Sequence, residues 1–322
     1  MRLTLARAYL GTGEAEAALK LLQEAPAQQS GQASLLLLRA QAELASARGP
    51  SAVATLNRLA ELNPDKAQPQ YLLAVANAQI GDLRTAELHL MQGLELDNDE
   101  GLQPAQLGAV LGAISDSAER TSLLERLQRI APTQPRVAAA RARMAIDQRD
   151  FSTGIGIYED LRRRYPDEGD YVLGLAQALD DAGRSSQARS ELQAWLEDHP
   201  RDLAARLLLA QQALQQDATP LANDQYRSVL DLVPEQPVAL NNLAMLIAED
   251  QPEEALALAE RGLALRPDDP AFMDTVGLVL LQLGEAERAR ELLAKAHLAT
   301  PDPSIAYRYA KALAATGDPA QA

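Results

Sequence analysis

Residues 274–303 read DTVGLVLLQLGEAERARELLAKAHLATPDP, and the spacing of the small residues in this stretch decides the fold. Apolar residues recur at helical intervals on both sides of Gly284, which is typical of amphipathic helices. Glycine ends a helix readily because it adopts a positive φ without steric penalty, and proline cannot continue one. The stretch therefore predicts a helix, a turn at Gly284 and a second helix that ends before Pro301.

The same features recur along the chain with a period of 33 or 34 residues. The prolines lie at Pro132, Pro166, Pro200 and Pro234, and continue at Pro267 and Pro301. One ladder of small residues runs through Ala6, Ala40, Ala74, Gly108, Ala142, Ala176, Ala210, Ala244, Gly277 and Ala310. Another runs through Ala18, Ala52, Ala86, Ala188, Ala222, Ala255 and Ala289, and is interrupted at Arg120 and Gly154. Three ladders in one phase predict a tandem repeat array.

The small residues have a physical reason in the way that the two helices of a unit cross. A large side chain at the crossing would push the helix axes beyond the roughly 8–10 Å that separates packed helices. A single pair of short helices is marginally stable in water, so neighbouring units must bury each other's apolar faces. The pattern therefore predicts an all-α stack of helix pairs.

The composition excludes several classes of function. The chain has 322 residues, of which 47% are hydrophobic and 3% aromatic, and its formal net charge is −15. This acidic balance argues against nucleic-acid binding, which needs a positive surface. The chain has no cysteine, which excludes disulfides and thiolate chemistry. No apolar run is long enough to cross a bilayer, so no transmembrane segment is expected.

The repeating unit resembles the tetratricopeptide repeat in four features. It has a small residue at position 8, alanine at 20, a large apolar residue at 24 and proline at 32. The large residues at position 24 are Leu22, Leu56, Leu90, Leu124, Tyr158, Leu192, Tyr226 and Leu293. The family's tryptophan at position 4 is absent. The resemblance implies an all-α fold of tandem helix–turn–helix repeats stacked in a right-handed superhelical solenoid.

The resemblance covers the whole chain and predicts a single array of about nine and a half repeats. The predicted units are 1–32, 33–66, 67–100, 101–134, 135–168, 169–202, 203–236, 237–269, 270–302 and the partial unit 303–322. Neither end has an evident polar cap of the kind that stable arrays carry. We therefore expect the sequence to be a fragment of a longer chain, and self-association through its uncapped ends stays open.

Residues 101–156 depart most from the pattern. Arg120 stands where the ladder has alanine, and Gly154 and Gly156 fall within a predicted second helix. Glycine inside a helix costs about 0.5–1 kcal/mol relative to alanine. We predict that this segment is the least stable part of the array.

No catalytic, cofactor-binding or metal-binding residues are predicted, so the chain is expected not to be an enzyme. The histidines His89, His199 and His297 lie in three different units, which does not suit a shared site. The acidic run 97–101, DNDEG, lacks the glycine and glutamate spacing of a calcium loop, and an inter-unit turn explains it better. The stretch 153–160, TGIGIYED, contains GxG but follows no strand, as a nucleotide loop would.

The family resemblance also implies where a protein or peptide partner would bind. In tetratricopeptide arrays the first helices line a concave groove, mainly through positions 2, 5, 9, 12 and 13. The candidate partner-binding residues at these positions are Leu37, Tyr71, Val75, Arg143, Leu173, Gln177, Leu207, Gln211, Asn241, Met245, Asp274 and Leu278. This lining is apolar and rich in amides, which favours a protein segment with apolar anchors. Some of these leucines are alternatively core residues, since the helix phase is uncertain by one residue.

The chaperone-type members of the family clamp a C-terminal carboxylate with lysine, arginine and asparagine at groove positions, and that set is not matched. The last three units, from ALNNLA to LLAKA, are instead similar to bacterial repeat lipoproteins linked to exopolysaccharide export and PEP-CTERM sorting. That similarity implies a non-enzymatic scaffold anchored in the envelope, with a periplasmic location. Two alternatives remain open: a cytoplasmic adaptor or regulator, and an accessory repeat region of a larger enzyme or export protein.

Overall fold

The structure is a computed structural model that describes residues 2–25, 31–97 and 101–317. All regular secondary structure in these residues is helical, without a strand. The chain divides into two compact units, Met1–Pro166 and Asp167–Ala322. The predicted all-α fold is confirmed, whereas the repeat boundaries stay a prediction.

The helices have similar lengths throughout. In the first unit they are α1 Arg2–Gly11, α2 Ala15–Gln23, α3 Ala33–Ala45, α4 Gly49–Leu62, α5 Ala67–Gln79, α6 Leu83–Leu96, α7 Pro104–Ala113, α8 Ser117–Ile130, α9 Pro135–Asp147 and α10 Phe151–Arg164. In the second they are α11 Gly169–Asp181, α12 Ser185–Asp198, α13 Leu203–Gln215, α14 Thr219–Leu232, α15 Pro237–Ile247, α16 Pro252–Leu265, α17 Pro270–Gln282, α18 Ala286–Ala299 and α19 Pro303–Ala315.

The turn at Gly284 forms as the sequence predicts. Gly284 has a φ of 79°, and the amide of Glu285 donates to the carbonyl of Leu280 at 2.9 Å. This hydrogen bond caps the C-terminus of the helix, and its geometry favours a residue with a positive φ. The equivalent turns place non-glycine residues in the same conformation at Ala47, Arg149 and Asp217, with φ values of 54°, 63° and 55°.

The small residue Gly277 brings α17 and α18 into direct contact. A Cβ added to Gly277 in α17 would lie 2.5 Å from Cγ of Leu293 in α18, so a larger residue cannot fit. Leu293 is fully buried in a continuous apolar cluster that runs from α13 to α19. The predicted role of Gly277 as a close-approach residue is therefore confirmed.

Gly154 has the same role in α10, which corrects its interpretation as a weak point. A Cβ at this position would lie 2.6 Å from Cγ1 of Ile146 and 3.0 Å from the carbonyl oxygen of Ala142. Gly154 is thus the small residue of its own helix pair. Gly156, by contrast, is exposed and faces open space.

One pair in the first unit is looser than the rest. The helices α1 and α2, α3 and α4, α5 and α6, and α9 and α10 pack closely along each other, whereas α7 and α8 do not. Arg120 lies in α8 at the position that alanine or Gly154 occupies in the other pairs. A bulky side chain at a helix crossing increases the separation of the axes, and Arg120 departs from the small residue that the other pairs have at this position.

Candidate protein-binding site

The first helices of successive pairs form one side of each unit. In the second unit α11 contacts α13, α15 contacts α17, and α17 contacts α19. We call the solvent-exposed surface of the first helices the first-helix face. It carries the residues that the sequence assigns to partner binding.

The candidate residues of the first unit differ in accessibility. Leu37 and Val75 are partly buried and Arg143 is exposed, so these three are available at the first-helix face. Tyr71 has no exposed surface at all. The prediction that Tyr71 lies open on the groove is therefore wrong.

Tyr71 fills the space between α5 and α6. Its ring lies against Gly93, where a Cβ would overlap with it, and its hydroxyl donates to Oδ2 of Asp97 at 2.7 Å. Burial raises the pKa of the Tyr71 hydroxyl, and the adjacent Asp97 raises it further. Gly93, a glycine inside a second helix, is the sequence signal that indicates a large side chain packed against it.

The second unit presents a more open set of candidates. Gln177, Gln211 and Met245 are exposed, and Met245 retains 40% of its accessible surface. Four candidates are partly buried, namely Leu173, Leu207, Asn241 and Leu278. Leu207 packs against the apolar cluster of this unit, so it contributes to the core as well as to the face.

Two of the candidates form polar links to the next first helix. The Thr275 hydroxyl donates to Oδ1 of Asn241 at 2.7 Å, and Nη1 of Arg308 donates to Oδ2 of Asp274 at 2.5 Å. Each link joins residues that are 34 positions apart. Asn241 and Asp274 therefore hold neighbouring helices together, and their role in partner binding stays a prediction.

Asp274 is the most buried of these polar groups apart from Thr275. It is 8% exposed, and its Oδ1 has no hydrogen-bond partner among the residues that the structure describes. Burial raises the pKa of this carboxyl, while the charge of Arg308 opposes the shift. The ion pair with Arg308 offsets only part of the desolvation of the carboxylate.

A cavity of about 650 Å³ opens on the first-helix face between α17, α19 and Glu249, which follows α15. Its walls include Glu249, Leu278, Gln282, Tyr307, Arg308 and Lys311. Leu278 was assigned to the groove from the sequence, and the cavity places it beside residues of the tenth repeat. This volume is in the range of pockets that hold small ligands or several side chains.

Tyr307, Arg308 and Lys311 are absent from the sequence-based candidates, which come only from the nine complete repeats. Tyr307 and Lys311 stand at positions 5 and 9 of the partial tenth repeat, so its register was sufficient to find them. Asp302 fixes the start of α19 by accepting hydrogen bonds from the amides of Ser304 and Ile305, at 2.8 and 3.2 Å. This N-terminal cap orients the helix that carries the three side chains.

Two other kinds of feature are absent from the described ranges. Residues 2–25, 31–97 and 101–317 contain no cluster of three or more His, Asp or Glu residues that is able to hold a metal ion. Among the helices of those ranges, none is long and apolar enough to span a membrane.

Models of known protein families match the helix pairs. Models described as tetratricopeptide repeat match residues 37–100, 145–211 and 246–314, which together make up more than half of the chain. The chain belongs to the tetratricopeptide repeat family. Repeats of this family are typically non-catalytic protein-interaction scaffolds, which agrees with a first-helix face that carries exposed side chains and a cavity.

Two bacterial tetratricopeptide proteins are similar in sequence over part of the chain. The TPR repeat-containing protein PA4667 of Pseudomonas aeruginosa is 29% identical over 148 residues, which are 44% of this chain and 25% of that protein. Cellulose synthase operon protein C of Pseudomonas fluorescens is 27% identical over 188 residues, 56% of this chain and 15% of that protein. The chain therefore spans a quarter or less of the length of these curated relatives.

Yeast Tom70 is similar in structure. The match has a TM-score of 0.60 and covers 98% of this chain and 81% of Tom70, at 12% sequence identity. At this identity the likeness shows the tetratricopeptide fold alone.

Proposed function

We propose that the chain is a non-enzymatic scaffold that binds an extended or helical segment of a partner protein on the first-helix face of its second unit. The observation that carries the proposal is the cavity between α17, α19 and Glu249, with Leu278 and Tyr307 in its wall. Tyr307 is 66% exposed in a chain with only 3% aromatic residues. Tyrosine is among the residues enriched at protein interfaces.

The same face continues from the cavity toward α13. Met245 and Gln211 are exposed there, and Leu207 is partly accessible. An apolar anchor with flanking amides suits the side chains and backbone of a bound segment. The proposal therefore extends from α19 to α13 on one side of the second unit.

We further propose that this scaffold acts in bacterial envelope assembly or exopolysaccharide export. Support comes from the relative named cellulose synthase operon protein C and from the similarity of the last three repeats to envelope lipoproteins. A periplasmic or envelope-anchored location follows from the proposal. Fractionation of cells that express the full-length gene tests it, because recovery in the cytoplasm would favour the adaptor alternative.

Peptide display tests the binding face directly. A library of random 16-residue peptides is selected on the protein, and retention is measured on Gln211→Arg, Met245→Arg and Leu265→Arg. Leu265 on α16 is 41% exposed, close to the 40% of Met245, but it lies on a second helix. We expect loss of retention on the first two variants and normal retention on Leu265→Arg. Equal retention on all three would overturn the proposal.

A further inference from the structure

The charges in the cavity wall are arranged asymmetrically. Arg308 and Lys311 lie on α19, whereas Glu249 lies on the opposite side, just after α15. These charges lie about an apolar wall formed by Leu278 and Leu281. An occupant of the cavity therefore meets positive charge at α19 and negative charge at α15.

Among the described residues, Arg308 and Lys311 of α19 together form only one ion pair. Nη1 of Arg308 is bonded to Asp274, but Nη2 and Nε have no acceptor among the described residues. Lys311 is exposed and forms no ion pair there. Its Nζ lies 5.7 Å from the centroid of the Tyr307 ring. An ammonium held over an aromatic face and a guanidinium with free donors together suit a carboxylate ligand.

We propose that the cavity receives an acidic side chain of the bound protein segment, with Lys311 and Arg308 as its cationic partners and an adjacent apolar residue against Leu278 and Tyr307. This inference rests on the proposed function and adds the chemistry of the occupant. Glu249 sets the orientation in which the segment binds, because a second acidic residue toward α15 would be repelled. The segment carries its acid at the α19 end and a neutral or basic residue at the α15 end.

The net charge of the protein does not explain a preference for acidic peptides. The chain carries a formal net charge of −15, which disfavours the approach of acidic peptides at long range. Recognition of an acid must therefore come from the local contacts with α19. Removal of one local cation is thus expected to change the preference of the site.

The peptide library selected above also tests this inference, with Lys311→Glu as the variant and Lys295→Glu as its control. Lys295 is exposed on α18 outside the cavity, so the control makes the same change in charge elsewhere. Selected peptides are expected to contain Asp or Glu beside an apolar or aromatic residue. Their affinity should fall about tenfold or more on Lys311→Glu, as for removal of a close charge partner, and stay unchanged on Lys295→Glu. Glu249→Lys should admit peptides with two acidic residues.

The outcomes separate the two proposals. Peptides that are lost on Met245→Arg but show no acidic preference, or bind Lys311→Glu normally, would overturn the acidic-ligand inference and leave the binding face intact. A library that shows no enrichment on the protein would contradict the proposed binding face, and the inference with it. Circular dichroism of each variant checks that the helices are retained.

Discussion

Arg308 binds Asp274, its partner one repeat earlier in the chain, with 2.5 Å between Nη1 and Oδ2. The side chain of Asp274 is 11% exposed and that of Arg308 is 21% exposed. The pair joins α17 to α19 at the edge of the cavity, so it stabilises the helices that form the candidate binding site.

Arg308→Ala is expected to destabilise the second unit. It leaves the Asp274 carboxylate buried without its charge partner, and we expect a loss on the order of 2–3 kcal/mol, less than for a fully buried pair. Urea unfolding measures this loss, followed by circular dichroism and by fluorescence of Trp195, the sole tryptophan, which lies in the same unit.

The double variant Asp274→Leu with Arg308→Leu is the control for this prediction. It removes both charges and restores an apolar contact, so its stability should lie closer to that of the parent protein. If the single and double variants lose equal stability, the ion pair does not have the role described.

Gly154→Ala and Gly156→Ala should have opposite effects, although both place alanine in α10. Gly154→Ala forces a methyl group against Ile146 and the carbonyl of Ala142, and should destabilise the first unit by about 1–3 kcal/mol. Gly156→Ala adds a methyl group in open space and should stabilise the helix by about 0.5–1 kcal/mol. Thermal unfolding by circular dichroism measures both changes, and shifts of the same sign would refute the packing account.

Lowering the pH should destabilise the first unit through His89. Burial lowers the pKa of this imidazole from its ordinary value of 6.5, and its Nδ1 lies 2.7 Å from Oε1 of Gln70. The unfolded chain takes up the proton near pH 6.5 while the folded chain resists it. The stability contributed by neutral His89 is therefore lost as the pH falls through 6.5 toward the lower, folded-state pKa.

His89→Gln separates this effect from the titration of the carboxyl groups. The urea midpoint of the parent protein should fall more steeply between pH 7.5 and 5.5 than that of the variant. Parallel pH profiles for the two proteins would show that His89 does not contribute.

Hydrogen exchange should be fastest in α7 and α8 among the helices of the first unit. These two helices are not closely packed, and Arg120 stands where the other pairs have alanine or Gly154. Amides in such a region open by local fluctuations at lower free energy than those of a tight core. Protection as strong as that of α3–α6 would contradict this prediction.

The sequence was sufficient to predict the helix pairs because their determinants are local. Gly277 and Gly284 have the close-approach and turn roles that their spacing indicates. Tyr71 was wrongly placed because its ring packs against Gly93 of the next helix, a contact that periodicity does not reveal. The cavity was not predicted, since it depends on how two first helices, α17 and α19, place Leu278, Tyr307 and Lys311 together.

Site-specific photo-crosslinking in the cells that naturally produce the protein tests the proposed binding face most directly. A benzophenone amino acid is placed at Met245 on the first-helix face or at Leu265 on α16, two positions of nearly equal exposure. We predict one dominant protein adduct from Met245, mapped by mass spectrometry to a single partner segment, and none of this adduct from Leu265. The same adduct at equal yield from both positions would contradict the account.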